Sequence, residues 1–186
     1  MADARTYPQR PFLAVSAAIV RDGKVLVVRR ARRPALAIYT VPGGVVETGE
    51  TLTEAVMREV REETSLAIEP VALAGHREVI MRDAQGAVER HFVILCFAAR
   101  WLSGEPVLND ELDDARWLEP AALARLETTE GLAEIVTAAV TLVSERQMRS
   151  PSTSNRGRGV LRVPLDGGRA SRTGGESTAA RAARAA

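Results

Sequence analysis

Cysteine is almost absent. The 186 residues contain one, Cys96, so no intramolecular disulfide can form. It lies in the apolar run "FVILCFAA" and reads as a buried thiol in a reducing compartment. Aromatic residues make up 4% of the chain, too few for the stacking platforms that bind single-stranded nucleic acid. No apolar run approaches the ~20 residues a membrane span needs. The segment "PFLAVSAAIV" has the composition of a leader, but no basic region and cleavage site frame it, and Arg21-Asp22-Gly23-Lys24 follow at once. It reads as a strand entering a turn. Net charge is nearly absent too, at +1, which gives no argument for a polyanionic partner. The expectation is a cytoplasmic protein with no membrane and no specific nucleic-acid partner.

What charge there is lies unevenly. Residues 147–186 hold eight Arg against Asp166 and Glu176, a balance of +6, which leaves −5 for residues 1–146 (+1 less +6). The composition changes at the same place, to Ser, Gly, Arg, Ala and Pro. A domain over 1–146 and a disordered tail over 147–186 are expected, since the tail has too few apolar residues to offset ordering entropy. Within the domain, "FLAVSAAIV" and "KVLVVRR" flank Asp22-Gly23, a strong hairpin signal. Two further strands are expected around Asp83-Ala84-Gln85-Gly86, then a polar loop "LSGEPVLNDELDD" and a short strand "ARWLE". Pro120 suits the first position of a brief helix, and "TEGLAEIVTAAVTLVSER" has helical periodicity. Strands mixed with helices indicate an α/β or α+β sandwich.

The densest information lies in "VPGGVVETGETLTEAVMREVREETS", Val41 to Ser65. Thr51 and Glu54 form a capping box, so a helix should run from about Leu52 to Thr64. On a helical wheel, Ala55 and Val56 share a stripe with Leu52, and Glu59, Glu62 and Glu63 fall on that same stripe. Carboxylates three and four residues apart repel one another. They also crowd the negative end of the helix dipole. Burying any of them without a partner costs several kcal/mol. A solvated acidic face served by Arg58 and Arg61 is the plain alternative. The wheel position favours a hard divalent cation instead, Mg²⁺ or Mn²⁺, which carboxylate oxygens suit. Pro42-Gly43-Gly44 reads as a loop where backbone can approach a ligand closely.

These residues resemble the signature of the Nudix hydrolases: Gly44, Glu50, Arg58-Glu59, Val60, Arg61, Glu62-Glu63, Thr64, Ser65, Leu66. Only Ser65 departs, standing where the family has glycine. The resemblance extends from about Pro11 to Val143. It implies an α/β/α sandwich around a mixed sheet and Mg²⁺- or Mn²⁺-dependent hydrolysis of nucleoside diphosphates linked to a second moiety. It implies Glu59, Glu62 and Glu63 as metal-binding carboxylates, the Gly44 carbonyl as a further ligand, and Arg58 with Glu50 as the charged pair that orients them. One more acid from a later loop is common in the family. Glu111 is the candidate, with Asp110 and Asp113 as alternatives. Ser65 should cost about 1 kcal/mol where a helix end favours a left-handed residue.

The substrate is less defined. Arg29, Arg30, Arg32 and Arg33 offer guanidinium groups to phosphates. Tyr39 could stack on a base or simply pack. His76 and His91 read as strand residues. General likeness places ADP-ribose first, giving AMP and ribose 5-phosphate. A nucleotide-sanitising hydrolase of oxidised or non-standard (d)NTPs, and a nucleotide-binding regulator without turnover, are the other readings. A homodimer is common among family members that act on ADP-sugars.

Overall fold

The computed structural model describes residues 5–31 and 36–149. The readings of Arg32 and Arg33, and of the tail from residue 150 onward, lie outside the described residues. The elements run β1 (Phe12–Arg21), β2 (Lys24–Arg30), β3 (Tyr39–Thr40), β4 (Gly43–Val45), α1 (Leu52–Thr64), β5 (Ala67–Arg82), β6 (Val88–Ser103) and β7 (Leu112–Leu118). A 3-10 helix over Pro120–Arg125 and α2 (Leu132–Arg149) complete the order. Helix α2 thus continues past Arg146, where the change in composition suggested that the tail begins.

The hairpin forms as expected. Asp22 and Gly23 take positive φ values of 50° and 76°, the two left-handed positions of a tight turn whose twist matches its strands. Val20 then pairs with Val25 and Arg21 with Lys24. Beyond these pairs, the edges that face each other take other partners: β1 pairs antiparallel with β4 through Ala14–Ser16, and β2 with β3 through Val28 and Arg29. The opposite edge of β1 runs parallel to β6, and that of β2 antiparallel to β7. The result is one mixed seven-stranded sheet. The two short strands β3 and β4 were not legible beforehand, and Gly43-Gly44, expected as loop, lie in β4. A strand of two or three residues carries no alternation pattern; tertiary pairing alone creates it.

Alternation along β1 and β2 explains the layers. Ala18, Val20, Val25 and Val27 face Leu132, Ile135, Val136, Ala139 and Val143 of α2. Val15, Ala17, Ile19, Leu26 and Val28 face Ala55, Val56 and Val60 of α1. Strand β1 is buried on both faces and so reads as an almost unbroken apolar run. Each fully buried valine contributes about 1.5–3 kcal/mol over leaving it exposed. This is the expected sandwich with helices on both faces. Among the described residues no helix is long and apolar enough to cross a membrane.

Candidate active site

Helix α1 carries the site because its ends are fixed. Thr51 accepts from the Glu54 N–H, and the Glu54 side chain accepts from the Thr51 N–H, so the capping box is complete. Ala55, Val56 and Val60 bury the inner face. At the other end Ser65 takes φ 60° and ψ 13°, the left-handed conformation in which glycine is favoured. Its N–H still donates to the Arg61 carbonyl at 2.9 Å, so the departure from the signature leaves the last turn intact.

The split between β1 and β2 places Gly43 and Gly44 beside this helix. A methyl group on Gly43 would lie 2.2 Å from the Val15 carbonyl oxygen and 2.5 Å from Ser16 Cα, both backbone. On Gly44 it would lie 2.4–2.5 Å from all three atoms of the Glu59 carboxylate. Only glycine lets the strand pass this close to that group. The Gly43 N–H donates to Glu63 Oε2 at 2.9 Å.

Arg58 is the hub on the outer side. Its Nε donates to Glu50 Oε1 at 2.6 Å, and Nη2 donates to Glu50 Oε2 at 3.0 Å and to the Val45 carbonyl at 3.1 Å. Nη1 donates to Glu59 Oε1 at 2.8 Å and to Glu62 Oε2 at 3.4 Å. Glu50 is held in turn by the Glu47 N–H at 3.0 Å. This fork geometry is one that Arg supplies and Lys does not. The Arg58 bonds hold the Glu50 carboxyl below its ordinary range.

The inner carboxylates behave oppositely. Glu63 is only 6% exposed, and burial raises its pKa from the ordinary 4.5 to about 7. The Gly43 N–H and the more distant Arg30 work against that rise, while Glu59 and Glu111 add to it. Glu59 is also raised, first by burial and against its bonds to Arg58, with Glu62 and Glu111 adding repulsion. The charges of Glu59, Glu62, Glu63 and Glu111 are therefore close enough to be felt together.

The other expected residues separate by strand parity. Arg30 shares the face of Leu26 and Val28, exerts its charge on Glu63, and has a buried Nε without a hydrogen-bond partner. Arg29 points to the α2 side, where it donates to Asp113 Oδ1 at 2.7 Å. The sheet thus puts the two arginines on opposite faces, and Asp113 leaves the list of loop acids. Tyr39 is 6% exposed, hydrogen-bonded through its hydroxyl to Asp114, and close to the guanidinium groups of Arg29 and Arg116. The ring is thus enclosed and packed in the cluster that α2 covers. The backbone contacts that hold Glu111 were missed: the Ala31 N–H donates to the Glu111 carbonyl at 2.8 Å, and Glu111 N–H donates to Asn109 Oδ1 at 3.0 Å. The dipeptide Asn109-Asp110 was the available signal, because Asx side chains make such local turns.

As the side chains stand, no three His, Cys, Asp or Glu groups among the described residues converge on one point that could hold a metal ion. Glu63 is engaged by Gly43, Glu59 by Arg58, and Glu62 is turned outward. The donor set nevertheless fits a hard cation. It is all oxygen, it includes two carboxyls whose burial Arg58 and the Gly43 N–H offset only in part, and Gly44 keeps the space beside one of them free of any side chain.

The fold places the protein among the α/β/α sandwiches with a mixed central sheet. The chain belongs to the Nudix family: the NUDIX domain profile matches residues 10–139. It is 34% identical over 116 residues to the ADP-ribose pyrophosphatase of Methanocaldococcus jannaschii, covering 62% of this chain and 66% of that one. It is 29% identical over 133 residues to the NAD-capped RNA hydrolase NudC of Pseudomonas fluorescens, covering 70% of this chain and 44% of that protein. The chain therefore spans less than two thirds of either relative. The crystal structure of the MutT NUDIX hydrolase from Burkholderia pseudomallei superposes with a TM-score of 0.57 at 29% identity, over 73% of this chain and 99% of that one.

Proposed function

We propose that this protein is a divalent-cation-dependent pyrophosphohydrolase of nucleoside diphosphate derivatives, with ADP-ribose as substrate and AMP and ribose 5-phosphate as products. The observation that carries the reading is the pair Glu59 and Glu63. Both carboxyls are driven up in pKa by burial, and Gly44 passes too close to the Glu59 carboxylate for any side chain to stand between them. Arg58 offsets the charge of Glu59 only in part, and a bound cation would stabilise both carboxyls in their charged form. The similarity to an ADP-ribose pyrophosphatase supports the choice of substrate.

Glu59, Glu62, Glu63 and the Gly44 carbonyl would hold Mg²⁺ or Mn²⁺. When bound, the cation neutralises pyrophosphate oxygens and makes a water more acidic. Arg58 keeps Glu59 oriented and, through Val45, ties the helix to β4. Glu111, or else one of the α1 carboxylates, accepts the proton of the attacking water. Arg30, on the same face, meets the charge that develops on the departing phosphate.

The test is hydrolysis with Mg²⁺ across ADP-ribose, NADH, diadenosine polyphosphate, dGTP and 8-oxo-dGTP, with products separated by chromatography and Glu62→Gln as control. AMP from ADP-ribose at the highest catalytic efficiency is expected. Pyrophosphate from a triphosphate would replace this reading with a nucleotide-sanitising one. Tight nucleotide binding without turnover would replace it with a regulator.

A further inference from the structure

We infer that Asn109 is a positioning residue that aims Glu111 at the carboxylates of α1. The inference rests on the catalytic role proposed for Glu111. Between β6 and β7 the chain crosses the C-terminal end of α1, and its backbone is fastened there. The Val107 N–H donates to the Thr64 carbonyl at 2.9 Å, and the Asn109 N–H donates to the Glu63 carbonyl at 3.3 Å. Leu108 and Leu112 on either side pack into the core beneath α1. Asn109 is thus tied by its main chain to the same residue whose side chain lies at the centre of the site.

Its side chain then acts in the other direction. Asn109 Oδ1 accepts the Glu111 N–H at 3.0 Å, and the Asn109 carbonyl accepts the Leu112 N–H at 3.4 Å. The Ala31 N–H holds the Glu111 carbonyl from the β2 side. Both polar backbone groups of Glu111 are therefore fixed, and only its side chain is left to move. Its charge reaches both Glu59 and Glu63. Without the Asn109 oxygen, the Glu111 N–H lies at an exposed residue and can turn to water, so folding loses little. What is lost is the direction in which the carboxylate points. Misplacing a catalytic group by an ångström can lower a rate by about 100-fold.

The experiment compares Asn109→Ala, Asn109→Asp and Glu111→Gln in the full chain. Amide hydrogen exchange is read at Glu111, and kcat and KM on the best compound of the panel. In Asn109→Ala the Glu111 amide should exchange faster, and kcat should fall by about 10- to 100-fold with KM within about twofold. Asn109→Asp keeps the acceptor oxygen and should restore both. Unchanged exchange in Asn109→Ala overturns the inference without any need for turnover. So does normal kcat in Asn109→Ala when Glu111→Gln is inactive. Full activity in Glu111→Gln overturns instead the role given to Glu111, and with it the reason for aiming that residue.

Discussion

Replacing Glu63 by glutamine should stabilise the cation-free protein at alkaline pH while abolishing its activity. The carboxyl is 6% exposed, accepts one hydrogen bond from the Gly43 N–H, and has a pKa of about 7 against an ordinary 4.5. Because the folded-state value is the higher one, the stability contribution is fully present below 4.5 and is lost as pH rises through about 7. At pH 8 the loss amounts to about 3 kcal/mol, and at pH 5 to under about 1 kcal/mol. Glutamine keeps an oxygen for the Gly43 N–H and has nearly the same volume, but never acquires the charge. In EDTA its advantage over the wild type should grow by about 2 kcal/mol between pH 5 and pH 8. At ~2–4 °C per kcal/mol for a domain of this size, that difference is readable as a shift in Tm. Urea unfolding at both pH values gives the free energies directly. An advantage of equal size at pH 5 and pH 8, or a loss of stability at pH 8, would refute the argument that a buried charge only partly offset by the Gly43 N–H sits at this position.

Other perturbations probe other parts of the account. Mg²⁺ should raise the wild-type Tm more at pH 8 than at pH 6, since binding must first displace the Glu63 proton, and calorimetry in two buffers should record proton release. Gly44→Ala must push the Glu59 carboxylate away from the position in which Arg58 holds it, and should lose about 100-fold or more in kcat. Arg58→Lys cannot reproduce the fork that holds Glu50, Glu59 and Val45, and should cost about 1.5–3 kcal/mol in urea unfolding together with a large drop in kcat. Ser65→Gly should raise stability by about 1 kcal/mol and leave kcat unchanged, since Ser65 stands at φ 60° with the helix end already formed.

The sequence revealed most where local chemistry decides structure. The Asp22-Gly23 turn, the Thr51–Glu54 capping box and the bounds of α1 could be read directly, because each depends on neighbours in the chain. The carboxylate face of α1 could be read too, but only its inner half is buried: Glu63 is enclosed, whereas Glu62 is exposed. A helical wheel gives direction and not depth. Strands β3 and β4 could not be read, since they exist through pairing with β2 and β1. The run Arg29-Arg30 gave no hint of which arginine would share the face covered by α1. That depends on which sheet face covers α1, a property of packing across the whole domain. The anchoring of Glu111 through Asn109 and Ala31 is likewise a matter of loop contacts that spacing does not encode.

The central claim is that the carboxylates of α1 bind a cation on which the reaction depends. The most direct test is a Mn²⁺ titration of the EDTA-stripped protein followed by electron paramagnetic resonance, with ADP-ribose turnover assayed on the same samples. Wild type should bind Mn²⁺ and regain AMP release in step with occupancy, and Glu59→Gln and Glu63→Gln should lose both together. Turnover that persists in EDTA, or Mn²⁺ binding that survives both substitutions, would contradict the account.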